Sequence, residues 1–209
     1  MKPPLPEPLP DDPLPLVRQW LDEASAAMRN ATAMALATVE PDGRPSARMV
    51  ICRGFDANAG WLVFYTDRDS AKGRALAGDP RAALVFHWDA FERQVRIEGP
   101  VTLAPDAASD AYWASRPAEA RAAAVASHQS QPLASRADFL ARLEEISRHA
   151  GAGLPRPARW GGYRVWAERV ELWVGQPGRA HDRAGWARTL TRGGADFHGG
   201  PWRATRLQP

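Results

Sequence analysis

A chain of 209 residues, 44% hydrophobic and 24% charged, is large enough to bury a core, and its composition excludes a collagenous or disordered polymer. The formal net charge of +3 comes from 27 Lys and Arg spread among 24 Asp and Glu, which excludes the basic block of a nucleic-acid binder. A single cysteine, Cys52, excludes a disulfide framework and fits the cytoplasm, and no apolar run approaches the roughly 18 residues of a membrane span.

The N-terminus, Met1-Lys2-Pro3-Pro4-Leu5-Pro6, lacks the apolar centre of a signal peptide. Residues 1–13 carry six prolines and are expected to be extended and mobile. Leu16, Val17, Trp20, Leu21 and Ala24 follow helical spacing, predicting an amphipathic helix from Leu14 to about Met28. Strands follow: Met34–Val39, closed by the turn Glu40-Pro41-Asp42-Gly43, then Ser46–Phe55, then Trp61–Thr66. Ser70–Ala77 reads as a short helix with Ser70 as N-cap and Gly78 near the C-cap. Arg81–Trp88 and Phe91–Leu103 are two further strands, the second long enough to bend.

Ala-rich helices are predicted over Asp106–Ser127 and Ser135–Ala150, with a linker at Gly151–Pro157. Tyr163–Val174, Arg183–Leu190 and Trp202–Leu207 read as the last strands, with Thr191-Arg192-Gly193-Gly194 as a hairpin loop. Six to eight strands joined by short turns predict a mainly β, α+β protein built on a closed antiparallel barrel. Residues 14–209 are expected to form one domain, with the helices of about 106–150 inserted into it.

Five clusters can carry chemistry. In Arg179-Ala180-His181-Asp182-Arg183, two guanidinium forks suit phosphate or carboxylate, and the histidine adds a group titrating near neutral pH. Alternation puts Arg179, His181 and Arg183 on one side of an extended segment; a solvated charged hairpin is the other reading. In Arg48-Met49-Val50-Ile51-Cys52-Arg53, arginines stand at both ends of an apolar strand. Tyr65 and Thr66 end the next strand, and Lys72 opens the following helix, so a hydroxyl, free amides and an ammonium meet as a phosphate site would require. Surface salt bridges are the alternative for Arg48 and Lys72.

Glu92-Arg93-Gln94-Val95-Arg96 places an amide on a strand, where it can serve the edge of a heteroaromatic ring. Tyr112 and Arg116, four apart, share a helix face and can grip one anion. His128-Gln129-Ser130 is a polar cluster past a helix. No carboxylate pair, Ser/His/Asp set or zinc-spaced Cys/His cluster competes with them, and no metal is expected.

In order and spacing these segments resemble the pyridoxamine (pyridoxine) 5′-phosphate oxidases, FMN flavoproteins of the split-barrel fold. The likeness runs from about Leu14 to Pro209. It rests also on Met34–Val39, Ser115-Arg116-Pro117, Trp160-Gly161-Gly162-Tyr163-Arg164-Val165 and Glu171 to Arg183. The resemblance implies a homodimer with FMN across its interface, the phosphate held at Arg48 and Lys72. The strand Arg48, Met49, Val50, Ile51, Cys52 and Arg53 would line the flavin, with polar contacts from Tyr65 and Thr66 and with Gln94 at the ring. Gln129 and Ser130 would complete the cofactor site, and Trp173 and Arg183 would come from the partner. The phosphate of a B6 vitamer would meet Arg53, Tyr112 and Arg116, while Arg179 and His181 covered the pyridine ring.

The reaction implied is oxidation of pyridoxamine or pyridoxine 5′-phosphate by O2 to pyridoxal 5′-phosphate and hydrogen peroxide. Several positions depart from the family pattern. Arg53 stands where lysine is usual, Ala120 where a phosphate-binding serine is usual, and Ala71 where an arginine is usual. Leu172, Val174 and Ala180 replace Phe, Gln and a larger aliphatic residue, and the Pro3–Pro15 stretch replaces a basic N-terminal segment. These departures bear on the substrate. A related FMN oxidase of a dihydrophenazine-type ring and a non-catalytic flavin- or vitamer-binding protein are the alternatives.

Overall fold

In–out alternation builds the sheet. Along Ala33–Val39 (β1), Met34, Leu36 and Thr38 are buried while the alanines between them face outward, as a half-buried strand requires. The same alternation runs through Pro45–Ile51 (β2), Arg81–Trp88 (β5), Arg93–Leu103 (β6) and Arg169–Val174 (β8). The computed structural model describes residues 3–149 and 153–209. Its other strands are Gly54–Asp56 (β3), Trp61–Asp67 (β4), Trp160–Trp166 (β7), Asp182–Ala187 (β9), Leu190–Gly193 (β10), Asp196–Gly199 (β11) and Arg203–Leu207 (β12).

All pairings are antiparallel, and the main path runs β12-β9-β8-β6-β5-β1-β2. The long β6 belongs to two sheets: Arg93–Glu98 pair with β8, and Val101–Leu103 pair with β7. Between them Gly99 lies against the Trp166 carbonyl so closely that a Cβ would collide. Since β7 pairs with β4 and β4 with β3, the sheet curls into a split barrel. Phe64, Phe86, Trp88, Leu84, Ile97, Val165 and Leu172 fill its interior.

Leu14–Ala27 (α1) forms as its spacing predicts and buries Leu14, Val17, Trp20, Leu21 and Ala24. Ala71–Gly78 (α2) is N-capped by Ser70, whose hydroxyl accepts from the Gly73 amide. Asp106–Ser115 (α3), Ala118–Ala126 (α4) and Arg136–His149 (α5) lie between β6 and β7.

Several expected boundaries are corrected. The strand expected over Ser46–Phe55 breaks at Cys52-Arg53, where the chain leaves β1 for β4 and the Arg53 amide donates to Val63. Phe91 ends a 3-10 turn instead of opening β6, because Glu92 turns the chain with φ 49°. The helix expected over Asp106–Ser127 is two helices, since Pro117 has no amide to donate and Arg116 is extended before it. Tyr163–Val174 is likewise two strands, parted at Ala167-Glu168. At the C-terminus β9 stops at Ala187 and pairs directly with β12, while β10 and β11 form a separate hairpin turning at Gly194-Ala195. Of the expected helix 135–150 and linker 151–157, Ala150, Gly151 and Ala152 lie outside the described residues.

The proline-rich start, expected to be mobile, is anchored at Leu5 and Pro10, and Met1 and Lys2 lie outside the described residues. Leu5 is only 2% exposed in the core, and its amide donates to Asp182 Oδ2 at 2.7 Å. Trp186 Nε1 donates to the Pro10 carbonyl at 2.8 Å, and Arg206 holds the Pro6 carbonyl and Glu7. Prolines leave carbonyls unspent, and these supply acceptors for strand β9 and its neighbour.

Candidate active site

A cationic cluster forms where β4 meets α2. Lys72, 8% exposed, points its ammonium at Thr66 Oγ1 (3.3 Å), Ser70 Oγ (3.3 Å) and Gln129 Oε1 (2.8 Å). The Thr66 hydroxyl also donates to Gln129 Oε1 at 2.9 Å, which fixes the amide with its NH2 turned away. Among the described residues Lys72 forms no ion pair. Burial, and then the positive field of Arg48, holds its pKa below the ordinary lysine value. A buried ammonium met only by neutral oxygens, with a guanidinium nearby, suits a phosphate dianion. Arg48 is itself held by Thr38 Oγ1 (2.6 Å), Ser46 Oγ (2.7 Å) and Glu40 Oε1 (3.4 Å).

Arg159 braces this cluster. Its Nε pairs with Asp67 at 2.9 Å, next to Thr66, while one terminal nitrogen reaches the Ala124, Val125 and Ser127 carbonyls at 3.2, 3.1 and 2.9 Å. These are the unsatisfied carbonyls at the end of α4. By tying them to β4, Arg159 sets the loop that presents Gln129 and Ser130, the latter at φ 71°. Arg159 was not among the expected site residues, for a surface arginine in sequence does not show which carbonyls it collects.

A second cluster is aromatic and cationic. Tyr65 stacks on Tyr112 at 4.2 Å and on Trp160 at 5.6 Å, and its hydroxyl meets the Ala108 carbonyl at 3.4 Å. Burial raises the Tyr65 pKa. Gly162 makes the approach possible, since a Cβ there would come within 2.8 Å of the Tyr65 ring. The Arg53 guanidinium lies 5.8 Å from the Tyr112 ring and that of Arg116 5.0 Å from the Trp160 ring. Arg53, Tyr112 and Arg116 are thus brought together, though not as a helix face: α3 ends at Ser115 and Arg116 is extended. At Ala120, the usual serine position, the backbone carbonyl accepts from Arg116 at 2.9 Å. Trp160, the ring between these groups, was also unassigned; its signal is the bulky residue before Gly161-Gly162.

A third group lies across β6, β8 and β9, where Gln94 pairs with Trp173 and Trp173 with Arg183. Arg183 donates to Glu171 Oε1 at 2.8 Å, and Glu171 also accepts from Arg96 at 3.0 Å. The His181 ring lies 4.7 Å from Trp173, and its Nδ1 accepts from the Gln176 amide at 3.3 Å, which assigns the neutral ring's proton to Nε2. Arg179 departs from the alternation expected of it. It ends a 3-10 turn at φ 61°, before β9 begins, so it does not share a strand face with His181 and Arg183. Asp182 turns instead to Leu5 and Arg206.

The strand expected to line a flavin shows its alternation plainly. Met49 (63% exposed) and Ile51 face outward, Val50 faces the core, and Cys52 is buried with its thiol donating to the Gly54 carbonyl at 3.3 Å. Burial pushes that thiol up to about 11, so only the backbone of Cys52 is available to a ligand. Along the sheet, Arg48 on β2 and Trp173 on β8 are four strand positions apart, roughly 19 Å at about 4.8 Å per strand.

Split-barrel fold, buried cationic cluster and amide–indole–guanidinium row are in keeping with a flavin-dependent oxidoreductase, the class to which the family matches assign the chain. Residues 21–150 match the family model for pyridoxamine 5′-phosphate oxidase, and residues 160–209 match that for the pyridoxine 5′-phosphate oxidase C-terminal dimerisation region. The chain belongs to the pyridoxamine 5′-phosphate oxidase family, and its cofactor is FMN. It is 47% identical over 208 residues to the pyridoxine/pyridoxamine 5′-phosphate oxidase of Anaeromyxobacter dehalogenans, covering 99% of this chain and 100% of that one. With the Gluconobacter oxydans enzyme of the same name it shares 45% over 200 residues, 95% and 94% of the two chains. Among solved structures, PhzG from Burkholderia lata in complex with tetrahydrophenazine-1-carboxylic acid is 32% identical with a TM-score of 0.84, covering 96% of this chain and 94% of that one. An FMN-binding protein from Nostoc punctiforme, 21% identical with a TM-score of 0.71, shares the fold over 94% and 98%. Among the described residues no helix is long and apolar enough to cross a membrane, and no group of side chains could hold a metal.

Proposed function

We propose that this chain oxidises pyridoxamine or pyridoxine 5′-phosphate to pyridoxal 5′-phosphate, with dioxygen as acceptor. The observation that carries the reading is a chain of contacts, Arg53 on Tyr112 and both Tyr112 and Arg116 on Trp160, beside a separate cradle at Lys72, Thr66 and Gln129. Two anion sites with an aromatic wall between them fit a phosphorylated cofactor and a phosphorylated substrate ring. FMN, when bound, would supply the redox chemistry, a two-electron transfer from the exocyclic carbon of the substrate to O2 that yields hydrogen peroxide. For the amine, water then replaces nitrogen, so that ammonium leaves and the aldehyde remains.

The chain's own groups bind and orient. Lys72 and Arg48 hold the FMN phosphate, and Gln94 hydrogen-bonds the ring edge. Arg53 and Arg116 fix the substrate phosphate, with Tyr112 against the ring plane. Arg179 covers the pyridine ring, and His181 Nε2–H donates to a substrate oxygen or nitrogen. Holding the reacting carbon against the cofactor is the larger part of the catalysis.

The active form is a homodimer. Gln94, Trp173 and Arg183 stand well away from Arg48 along the sheet, and the outward face of β1, β2 and β5 is an apolar field of Ala35, Ala37, Met49 and Ala83. A second copy on that face covers it and brings one protomer's Trp173 and Arg183 to the other's phosphate cradle. A chain with one buried thiol suits a reducing cytoplasm.

Steady-state assay of the FMN-loaded protein with both vitamers, following aldehyde formation and oxygen uptake, tests the reading. Aldehyde and consumed oxygen in equal amounts are expected. Turnover confined to a reduced phenazine carboxylate would put the dihydrophenazine-type reading in its place, which the likeness to PhzG already favours as second choice.

A further inference from the structure

Away from the cradle, the C-terminal half of α2, the second half of β6 and the β10–β11 hairpin enclose a cavity of about 580 Å3. It shares no lining residue with the three clusters above. Its walls are apolar, chiefly Leu76, Leu103, Phe197 and the ring of Tyr163, and two guanidinium groups, Arg68 and Arg192, border it. Phe197 is held edge-on to Trp166 at 5.9 Å, and the Arg164–Asp196 ion pair at 3.2 Å ties the hairpin to β7, so this wall is anchored to the barrel. Leu103 is 52% exposed at the cavity.

The charges are under-compensated. Arg68 Nε is buried without an acceptor, and among the described residues its fork pairs only with Asp106, at 3.7 Å. Arg192 donates to the Gly194 carbonyl at 3.3 Å and lies 6.0 Å from the Phe197 ring, with no carboxylate partner among the described residues. The Arg68 charge acts on the buried Tyr163 hydroxyl, opposing the rise that burial causes in its pKa. A cavity of ligand size with apolar walls, a buried guanidinium nitrogen without an acceptor and a second, exposed guanidinium at its border has the make-up of a small-molecule site.

We propose that this cavity binds a small aromatic or branched aliphatic carboxylate, its apolar body against Leu76, Tyr163 and Phe197 and its carboxylate between Arg68 and Arg192. The proposal stands apart from the oxidase reading, since neither cofactor nor vitamer is needed for it. The test is calorimetric titration of the FMN-loaded protein with 2-naphthoate, with 2-naphthamide as the neutral control. One site per protomer is expected, with Kd below about 1 mM, weakened about tenfold for the amide and again about tenfold in Arg192→Gln. Phe197→Ala, on the same hairpin, should weaken binding by a similar factor while Arg192→Gln leaves the FMN content unchanged. No heat of binding, equal affinity for acid and amide, or affinity indifferent to both substitutions would overturn the site. So would displacement of naphthoate by pyridoxal 5′-phosphate in parallel with inhibition of turnover, which would place it in the oxidase site instead.

Discussion

The Lys72 cradle and the Arg179–Arg183 turn are both cationic, yet Lys72 and Arg179 are held in opposite ways. In the cradle every charged or polar side chain has a fixed neighbour: Lys72 on Gln129, Thr66 on Gln129, Arg48 on Thr38 and Ser46, Arg159 on Asp67. In the turn, Gly178 and Arg179 lie at φ 67° and 61°, and Arg179 forms no hydrogen bond or ion pair with the described residues. A residue outside the glycine class at positive φ costs on the order of 1 kcal/mol, which the surrounding contacts of Trp173, His181 and Asp182 offset. On the proposed assignment, one region holds a group that stays and the other meets one that comes and goes. Binding of cofactor and turnover of substrate should therefore be separable by mutation.

The largest effect expected from breaking that separation is in the cradle. Lys72→Met removes a buried charge-assisted contact and should weaken FMN binding by about 3 kcal/mol, roughly 150-fold, in a flavin-fluorescence titration. Arg179→Ala should leave that titration unchanged and lower kcat/KM for pyridoxine 5′-phosphate roughly ten- to a hundredfold, about 1.5–3 kcal/mol. Parallel loss of FMN would instead make Arg179 a cofactor residue. Trp160→Leu removes the ring shared by Tyr65, Tyr112 and Arg116, and should raise KM about five- to tenfold.

Acidity offers a finer distinction. Because burial lowers the Lys72 pKa, the folded apoprotein binds fewer protons there than the unfolded chain between the lowered value and 10.5. The group's contribution to apoprotein stability thus rises with pH across that window, while FMN affinity, which needs the ammonium, falls across it. Lys72→Arg should flatten the affinity profile, as guanidinium stays charged. The smallest effect belongs to Cys52→Ala, which should change FMN affinity by less than about twofold, because the thiol faces Gly54 and the core.

These contrasts also mark what sequence could reveal. Alternation along Met34–Val39 and Arg81–Trp88, and the Ser70 cap, were enough for the barrel strands and α2, because burial period and cap chemistry are local. Thr66 and Lys72 were legible as one site for the same reason: strand end and helix start are adjacent in the chain. Arg116 lies beside Trp160 but not on a helix face shared with Tyr112, since the helix ends before Pro117. Arg179 leaves the expected alternation because Pro177-Gly178 favours a turn. No site role for Arg159 or Trp160 is legible in the sequence, because their contacts arise only when β7 is laid beside β4 and α4, at long sequence separation. The docking of Leu5 on Asp182 is of that kind too, and no proline count foretells it.

The central claim, that the FMN of this chain is reduced by a phosphorylated B6 vitamer, is tested most directly without oxygen. The FMN-loaded protein is mixed anaerobically with pyridoxine 5′-phosphate or pyridoxamine 5′-phosphate, and the visible absorbance of the flavin is followed. Bleaching in a single exponential by at least one vitamer is expected, with full recovery when air is admitted and one aldehyde formed per flavin. A flavin that keeps its oxidised spectrum with both vitamers at saturating concentration would contradict the claim.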